Sequence, residues 1–148
     1  MLNLQSPVEE IMSTNLITLT QTDTLLKVKD VFDKNRIHHI PIVENDSLVG
    51  IVSKSDFLFF QRGFSSDQDR YRLYRLKTYT VDQIMTKGVA KLDVKDKIDV
   101  ALELFKENLF HAIPITRDND LVGIVTTYDV ISTLSSGKGA INKYQKAS

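Results

Sequence analysis

The sequence predicts a mixed α/β (α+β) fold built from two packed copies of one β-α-β-β-α unit. Three observations predict it. Val8–Phe57 aligns with Val81–Val130 without a gap, at an offset of 73 residues and with 17 identities over 50 positions. An internal repeat of this kind sets the architecture before any other reading. Each copy also carries an apolar run, Leu48-Val49-Gly50-Ile51-Val52 and Leu121-Val122-Gly123-Ile124-Val125, entered from a polar turn. Finally, each copy carries a helical stripe behind an aspartate, Leu25, Val28, Val31, Phe32 and Ile98, Ala101, Leu104, Phe105, which is the spacing of an amphipathic helix.

Taken in order, Ser6-Pro7 followed by Glu9-Glu10 reads as a helix start, with a hydroxyl cap, proline in the first turn and acid at the positive end. Val8, Ile11 and Met12 would face inward. Asn15–Leu19 reads as a short strand. Asp23 and Asp96 read as the caps of the two amphipathic helices, and Asn35 and Asn108 as their stops. His39–Val43 is a strand with Pro41 inside it, which marks an edge or an unpartnered position because proline cannot donate. Glu44-Asn45-Asp46-Ser47 and Arg117-Asp118-Asn119-Asp120 are turn chemistry, each making a hairpin with the apolar run that follows. Those runs, almost unbroken, should be buried on both faces. Ser53 and Thr126 then cap a closing helix.

Residues 58–80 differ in character. They hold Arg62, Arg70, Arg72, Arg75 and Lys77 against Asp67 and Asp69, and six aromatic residues. The first closing helix should continue to about Gln61, followed by a loop at Gly63–Asp67 and a short helix at Gln68–Leu76. The tail 137–148 reads as frayed.

Each repeat is near the lower size limit for an independent core, so two packed copies are the expected folding unit. The composition, 42% apolar and 26% charged, is that of a soluble globular protein. Lysine plus arginine balance aspartate plus glutamate at 19 each. This argues against a general nucleic-acid binder, which needs surplus positive charge. Cysteine is absent, which removes disulfides and thiolate chemistry. No apolar run reaches the length of a membrane span, and no leader pattern precedes the repeats. A cytoplasmic location is the resulting expectation.

Two copies of Ile-Met-(Ser/Thr), a capped helix, His-x-Ile-Pro-Ile and Leu-Val-Gly-Ile-Val-(Ser/Thr)-x-x-Asp resemble the CBS (cystathionine β-synthase) domain, here as the tandem pair called a Bateman module. The resemblance covers 8–57 as repeat one and 81–130 as repeat two, with 58–80 as a linker, and implies a stand-alone pair. It implies a pseudo-two-fold arrangement with two clefts between the repeats, occupied by AMP, ADP, ATP or S-adenosylmethionine, with no obligatory cofactor. Carried over, Asp56 and Asp129 would bind the ribose hydroxyls. Ser53 and Thr126 would meet phosphate, with Ser55 beside them. Leu16, Ile17, Val89 and Ala90 would lie near the bases. His38, His39 and His111 stand where basic residues of the family often meet phosphate. The chemistry suits these roles: a carboxylate can accept from two vicinal hydroxyls, and a helix start favours an anion.

Each candidate has a structural alternative. A hydroxyl followed three residues later by an acid is also close to a capping box. A repeated histidine is also a packed or solvated one, and three histidines without cysteine make a poor metal set. A Ser53–His38–Asp56 hydrolase triad lacks any nucleophile elbow or oxyanion loop. The reading is therefore a regulatory binding module without catalysis, acting on an unidentified effector protein. Phe57, Leu58, Phe59 and Phe60 add apolar surface beyond a small monomer's need, and a homodimer is expected. The alternatives are a ligand-free dimerisation scaffold and, with less support, a nucleic-acid binder using Arg62–Lys77.

Overall fold

The computed structural model describes residues 2–64, 68–108 and 110–135. The expected frayed tail and part of the Gly63–Asp67 loop fall outside these. The described residues form helices α1 (Leu25–Lys34), α2 (Lys54–Arg62), α3 (Asp69–Thr78), α4 (Ile98–Asn108) and α5 (Thr127–Ser135). The strands are β1 (His39–Glu44), β2 (Ser47–Ser53), β3 (Leu92–Asp93), β4 (Ala112–Arg117) and β5 (Asp120–Thr126).

The chain divides into two compact units, and each takes its leading segment from the other sequence copy. Of the described residues, one unit comprises 17–64, 68–89 and 119–121; the other comprises 2–16, 90–108, 110–118 and 122–135. The exchange is visible in equivalent hydrogen bonds. Val81 N–H donates to Asp23 C=O at 2.9 Å, and Val8 N–H donates to Asp96 C=O at 2.7 Å. Thr86 and Ile51 exchange both backbone bonds, at 2.9 and 3.0 Å; Ser13 and Ile124 do the same at 2.8 and 3.0 Å. These pairs satisfy backbone groups that would otherwise be stranded at strand edges.

In the unit 17–89, β1 and β2 form an antiparallel hairpin, Glu44 pairing with Ser47 and His39 with Ser53. Asn45 and Asp46 both have positive φ, 48° and 68°, as the two-residue turn that matches strand twist requires. Asp118 (51°) and Asn119 (71°) repeat this between β4 and β5. Pro41 is tolerated because its missing donor lies on the side facing Leu19. There Leu19 N–H donates to Pro41 C=O at 3.2 Å and Val43 N–H donates to Leu19 C=O at 3.0 Å, so the proline is bracketed rather than opposed by a donor-seeking acceptor. Leu25, Val28 and Phe32 of α1, Ile40, Ile42, Val52, Phe57, Leu76, Val81 and Met85 make the core. Burying each aliphatic side chain of this size stabilises by roughly 1.5–3 kcal/mol.

The other unit repeats the plan. β4 neighbours β5, and β3 runs parallel to β4, pairing Leu92 with Ile115. Val8, Ile98, Ala101, Ile113, Ile115 and Val125 form its core, with Ile11 and Met12 packed against them.

Four local expectations are corrected. Asn15–Leu19 is not a strand: within it only Leu19 forms a single bridge, to Ile42, and in the second copy the equivalent strand is two residues long. Asp23 does not cap α1. Thr24 does, its side chain accepting from Lys27 N–H, while Asp23 accepts from Thr20 N–H at 2.8 Å and so closes the preceding turn. Asp96 likewise closes its turn by accepting from Asp93 N–H at 2.8 Å. The segment after Ser6 makes one 3-10 turn, Val8–Glu10, with Pro7 at its cap position and no side-chain cap. Finally, β2 and β5 are fully buried only over Gly50–Val52 and Gly123–Val125.

The linker helices match the expectation to within two residues. Within α2, Phe57 is buried, whereas Phe59 is 75% exposed. Phe60 packs edge-on against Phe64 and Tyr79, and Arg75 lies over the Phe64 ring. Part of the aromatic content of 58–80 is therefore a small hydrophobic cover on this unit.

Candidate functional site

The candidate sites are the N-termini of α2 and α5. An apolar strand delivers the chain there, and a hydroxyl residue at its end turns it into a helix. Ser53 Oγ accepts from Asp56 N–H at 3.0 Å. Thr126 Oγ1 accepts from Asp129 N–H at 3.1 Å. Both hydroxyls thus satisfy one of the orphan donors of a helix start. The first strand of each hairpin begins here: His38 C=O accepts from Lys54 N–H at 2.8 Å, and His111 C=O accepts from Thr127 N–H at 3.1 Å.

In the unit 17–89 this brings His38, His39, Ser53, Ser55 and Asp56 to one place, with His39 opposite Ser53 across the hairpin. The Ser53 and Ser55 hydroxyls stand 3.3 Å apart. His38, Ser55 and Asp56 are exposed, and Ser53 and His39 are half-buried. The second unit assembles His111, Thr126 and Asp129, with His111 exposed and the other two half-buried. Of the positions expected near a base, Ile17 and Val89 belong to the first of these units, and Leu16 and Ala90 to the second; all four are half-buried.

The two aspartates differ sharply. Asp129 folds back on its helix start: Oδ2 accepts from Thr126 N–H at 2.8 Å and from the Thr126 hydroxyl at 3.0 Å. Its Oδ1 accepts from the Ser13 hydroxyl at 3.0 Å. This is a full reciprocal capping box with an extra donor. Asp56 makes the forward half only, through its backbone N–H. Its carboxylate accepts from no donor among the described residues, and Thr86, the repeat equivalent of Ser13, is exposed. A carboxylate left open on the surface beside a helix start and two hydroxyls can take two hydroxyl donors at once.

Ser13 is the participant that sequence reading missed. Its position in the Ile-Met-Ser motif was visible, but the exchange of leading segments that carries it to Asp129 was not.

The sequence model of the CBS domain matches residues 8–63 and 81–136. An uncharacterised 33.4 kDa protein encoded in the ribosomal RNA operon of Thermofilum pendens is 32% identical over 140 residues, covering 89% of this chain and 45% of that protein. Inosine-5'-monophosphate dehydrogenase of Methanocaldococcus jannaschii is 31% identical over 139 residues, covering 91% of this chain and 25% of that enzyme. The chain thus spans less than half the length of these two curated relatives. The crystal structure of CBSX2 in complex with AMP is similar in fold, with a TM-score of 0.75 at 19% identity, over 90% of this chain and 98% of that one. Among the described residues, no helix is long and apolar enough to cross a membrane. With two matched copies filling most of its length, the chain belongs to the CBS domain family as a tandem pair.

Proposed function

We propose that the protein is a regulatory module that binds an adenosine-containing ligand, AMP, ADP, ATP or S-adenosylmethionine, and does not itself catalyse a reaction. The observation that carries this is the open Asp56 carboxylate, set three residues after the Ser53 cap with Ser55 and His38 beside it. Asp56 accepts the ribose diol, Ser53 and Ser55 offer hydroxyls to phosphate, and His38 or His39 meets the same group. Asp129, Thr126 and His111 form the second, weaker counterpart, and Leu16, Ile17, Val89 and Ala90 supply apolar surface to the base. The AMP bound by CBSX2, a protein of the same fold, supports the ligand class.

Binding then biases a conformational equilibrium by its differential affinity for the two states, and an effector protein reads the result in the cytoplasm. A homodimer is supported by apolar residues on the outer faces of the two closing helices. Leu58 and Phe59 of α2 are 46% and 75% exposed, and Ile131 and Leu134 of α5 are 63% and 59% exposed.

The second reading, a ligand-free dimerisation scaffold, is favoured by the same apolar faces and by the closed state of Asp129. Calorimetric titration with AMP, ATP and S-adenosylmethionine separates the two. Saturable binding that Asp56→Ala weakens supports the sensor. A folded dimer that takes up none of the three supports the scaffold.

A further inference from the structure

Ser13 and Asp129 lie 116 residues apart in sequence, yet the Ser13 hydroxyl donates to Asp129 Oδ1 at 3.0 Å. Ser13 is held there independently of that bond, by its reciprocal backbone pair with Ile124. The other carboxylate oxygen, Oδ2, is occupied by the Thr126 N–H and hydroxyl. A carboxylate offers about four acceptor positions, and three of Asp129's are filled. The equivalent Asp56 has none filled by a described side chain, although Ser53 caps its helix in the same way.

We propose that Ser13 is a built-in competitor at Asp129, holding the second adenosine site in a low-affinity state while the Asp56 site stays open. This rests on the adenosine-binding reading above. A ribose diol needs two acceptor positions on one carboxylate, so binding at Asp129 has to displace a donor. The Thr126 donors are local to the helix start and hold the first turn of α5. Ser13 is the donor that can leave without unwinding a helix: its hydroxyl rotates away while its backbone stays paired to Ile124. The consequence is ordered occupancy, with the Asp56 site filling first and the Asp129 site filling only at higher ligand concentration.

The test is isothermal titration of the full chain with AMP, ATP and S-adenosylmethionine, comparing wild type, Ser13→Ala, Asp56→Ala and the Ser13→Ala/Asp56→Ala double variant. The expected result is a tight step lost in Asp56→Ala and a weaker step retained there. The weaker step should tighten about three- to tenfold in the double variant, the net worth of one displaced hydrogen bond, while Ser13→Ala leaves the tight step unchanged. If Ser13→Ala unfolds at the assay temperature, Ser13→Cys, with its weaker donor, takes its place. A weaker step that is unchanged or loosened by removing the Ser13 hydroxyl overturns the competitor role and leaves adenosine binding standing. Absence of binding to every variant overturns the adenosine reading and the competition with it.

Discussion

The Sδ of Met85 lies so close over Gly50 that a Cβ at that glycine would sit 2.8 Å from it and 2.9 Å from Thr86 C=O. Met12 covers Gly123 in the same way, with Ser13 C=O 3.1 Å from a Cβ there. Each methionine comes from the leading segment of one sequence copy and each glycine from the apolar strand of the other. The Leu-Val-Gly-Ile-Val glycines are therefore required by close approach rather than by backbone conformation.

Gly50→Ala and Gly123→Ala should each destabilise the fold by about 1–3 kcal/mol, the usual cost of overpacking. The obstacle includes backbone carbonyls as well as a flexible thioether. Urea unfolding of the two variants measures this. Gly50→Ala should cost less in a Met85→Ala background than in the wild type, through the space freed at the sulfur.

The two aspartates should behave differently when truncated. Asp56→Ala should change stability by less than about 0.5 kcal/mol, because its exposed carboxylate accepts no hydrogen bond among the described residues. Asp129→Ala removes the acceptor of three hydrogen bonds and should cost about 1–3 kcal/mol. Ser53→Ala should cost about 1 kcal/mol as a lost cap. Thermal unfolding of the three variants without ligand gives the order directly.

Asp23 predicts an acid dependence. Burial raises its carboxyl pKa, but the Thr20 N–H bond and the Lys27 ammonium outweigh this and leave it below the ordinary aspartate value. A depressed carboxylate contributes stability above its unfolded pKa and loses it as pH falls through the folded one. The stability difference between wild type and Asp23→Asn should therefore be constant near neutrality and shrink as pH drops below the ordinary aspartate range. Urea midpoints from about pH 6 to about pH 2.5 test this.

The hairpin turn gives a prediction of opposite sign. Asn45 and Asp46 both sit at positive φ, and asparagine followed by glycine is the favoured pair for such a turn. Asp46→Gly should be neutral or stabilise by up to about 1 kcal/mol, and Asn45→Val should destabilise by about 1–2 kcal/mol. Chemical unfolding reads both.

Most of the fold was legible because the repeat supplied every element twice. The turn residues 45–46 and 118–119, the stripe Leu25-Val28-Phe32 and the caps Ser53 and Thr126 each follow from local chemistry, and the structure has them as read. What could not be read was which copy each leading segment joins. Val8–Ser13 and Val81–Thr86 carry nearly the same residues, so either can pair with Ile51 or Ile124, and only the path of the chain decides. The same ambiguity hid Ser13 from the site. Asp23 was misread because an aspartate two residues before a helix can cap it or close the turn before it, and Thr24 stood nearer the first helical amide. The short strand at Asn15–Leu19 failed because five residues without strict polar–apolar alternation, Leu16 and Ile17 being adjacent, do not specify a strand or its partner.

The site was legible as a pattern and not as a state. Sequence placed Asp56 and Asp129 in equivalent positions; it could not show that one carboxylate is closed by Ser13 and Thr126 while the other is open.

The most direct test of the central claim is calorimetric titration of the wild-type chain and Asp56→Ala with AMP, ATP and S-adenosylmethionine. The account predicts saturable binding of at least one of these to the wild type, weakened at least tenfold in Asp56→Ala through the loss of two hydroxyl bonds to a charged acceptor. Binding that is equal in the two proteins, or absent from a folded wild type, would contradict it.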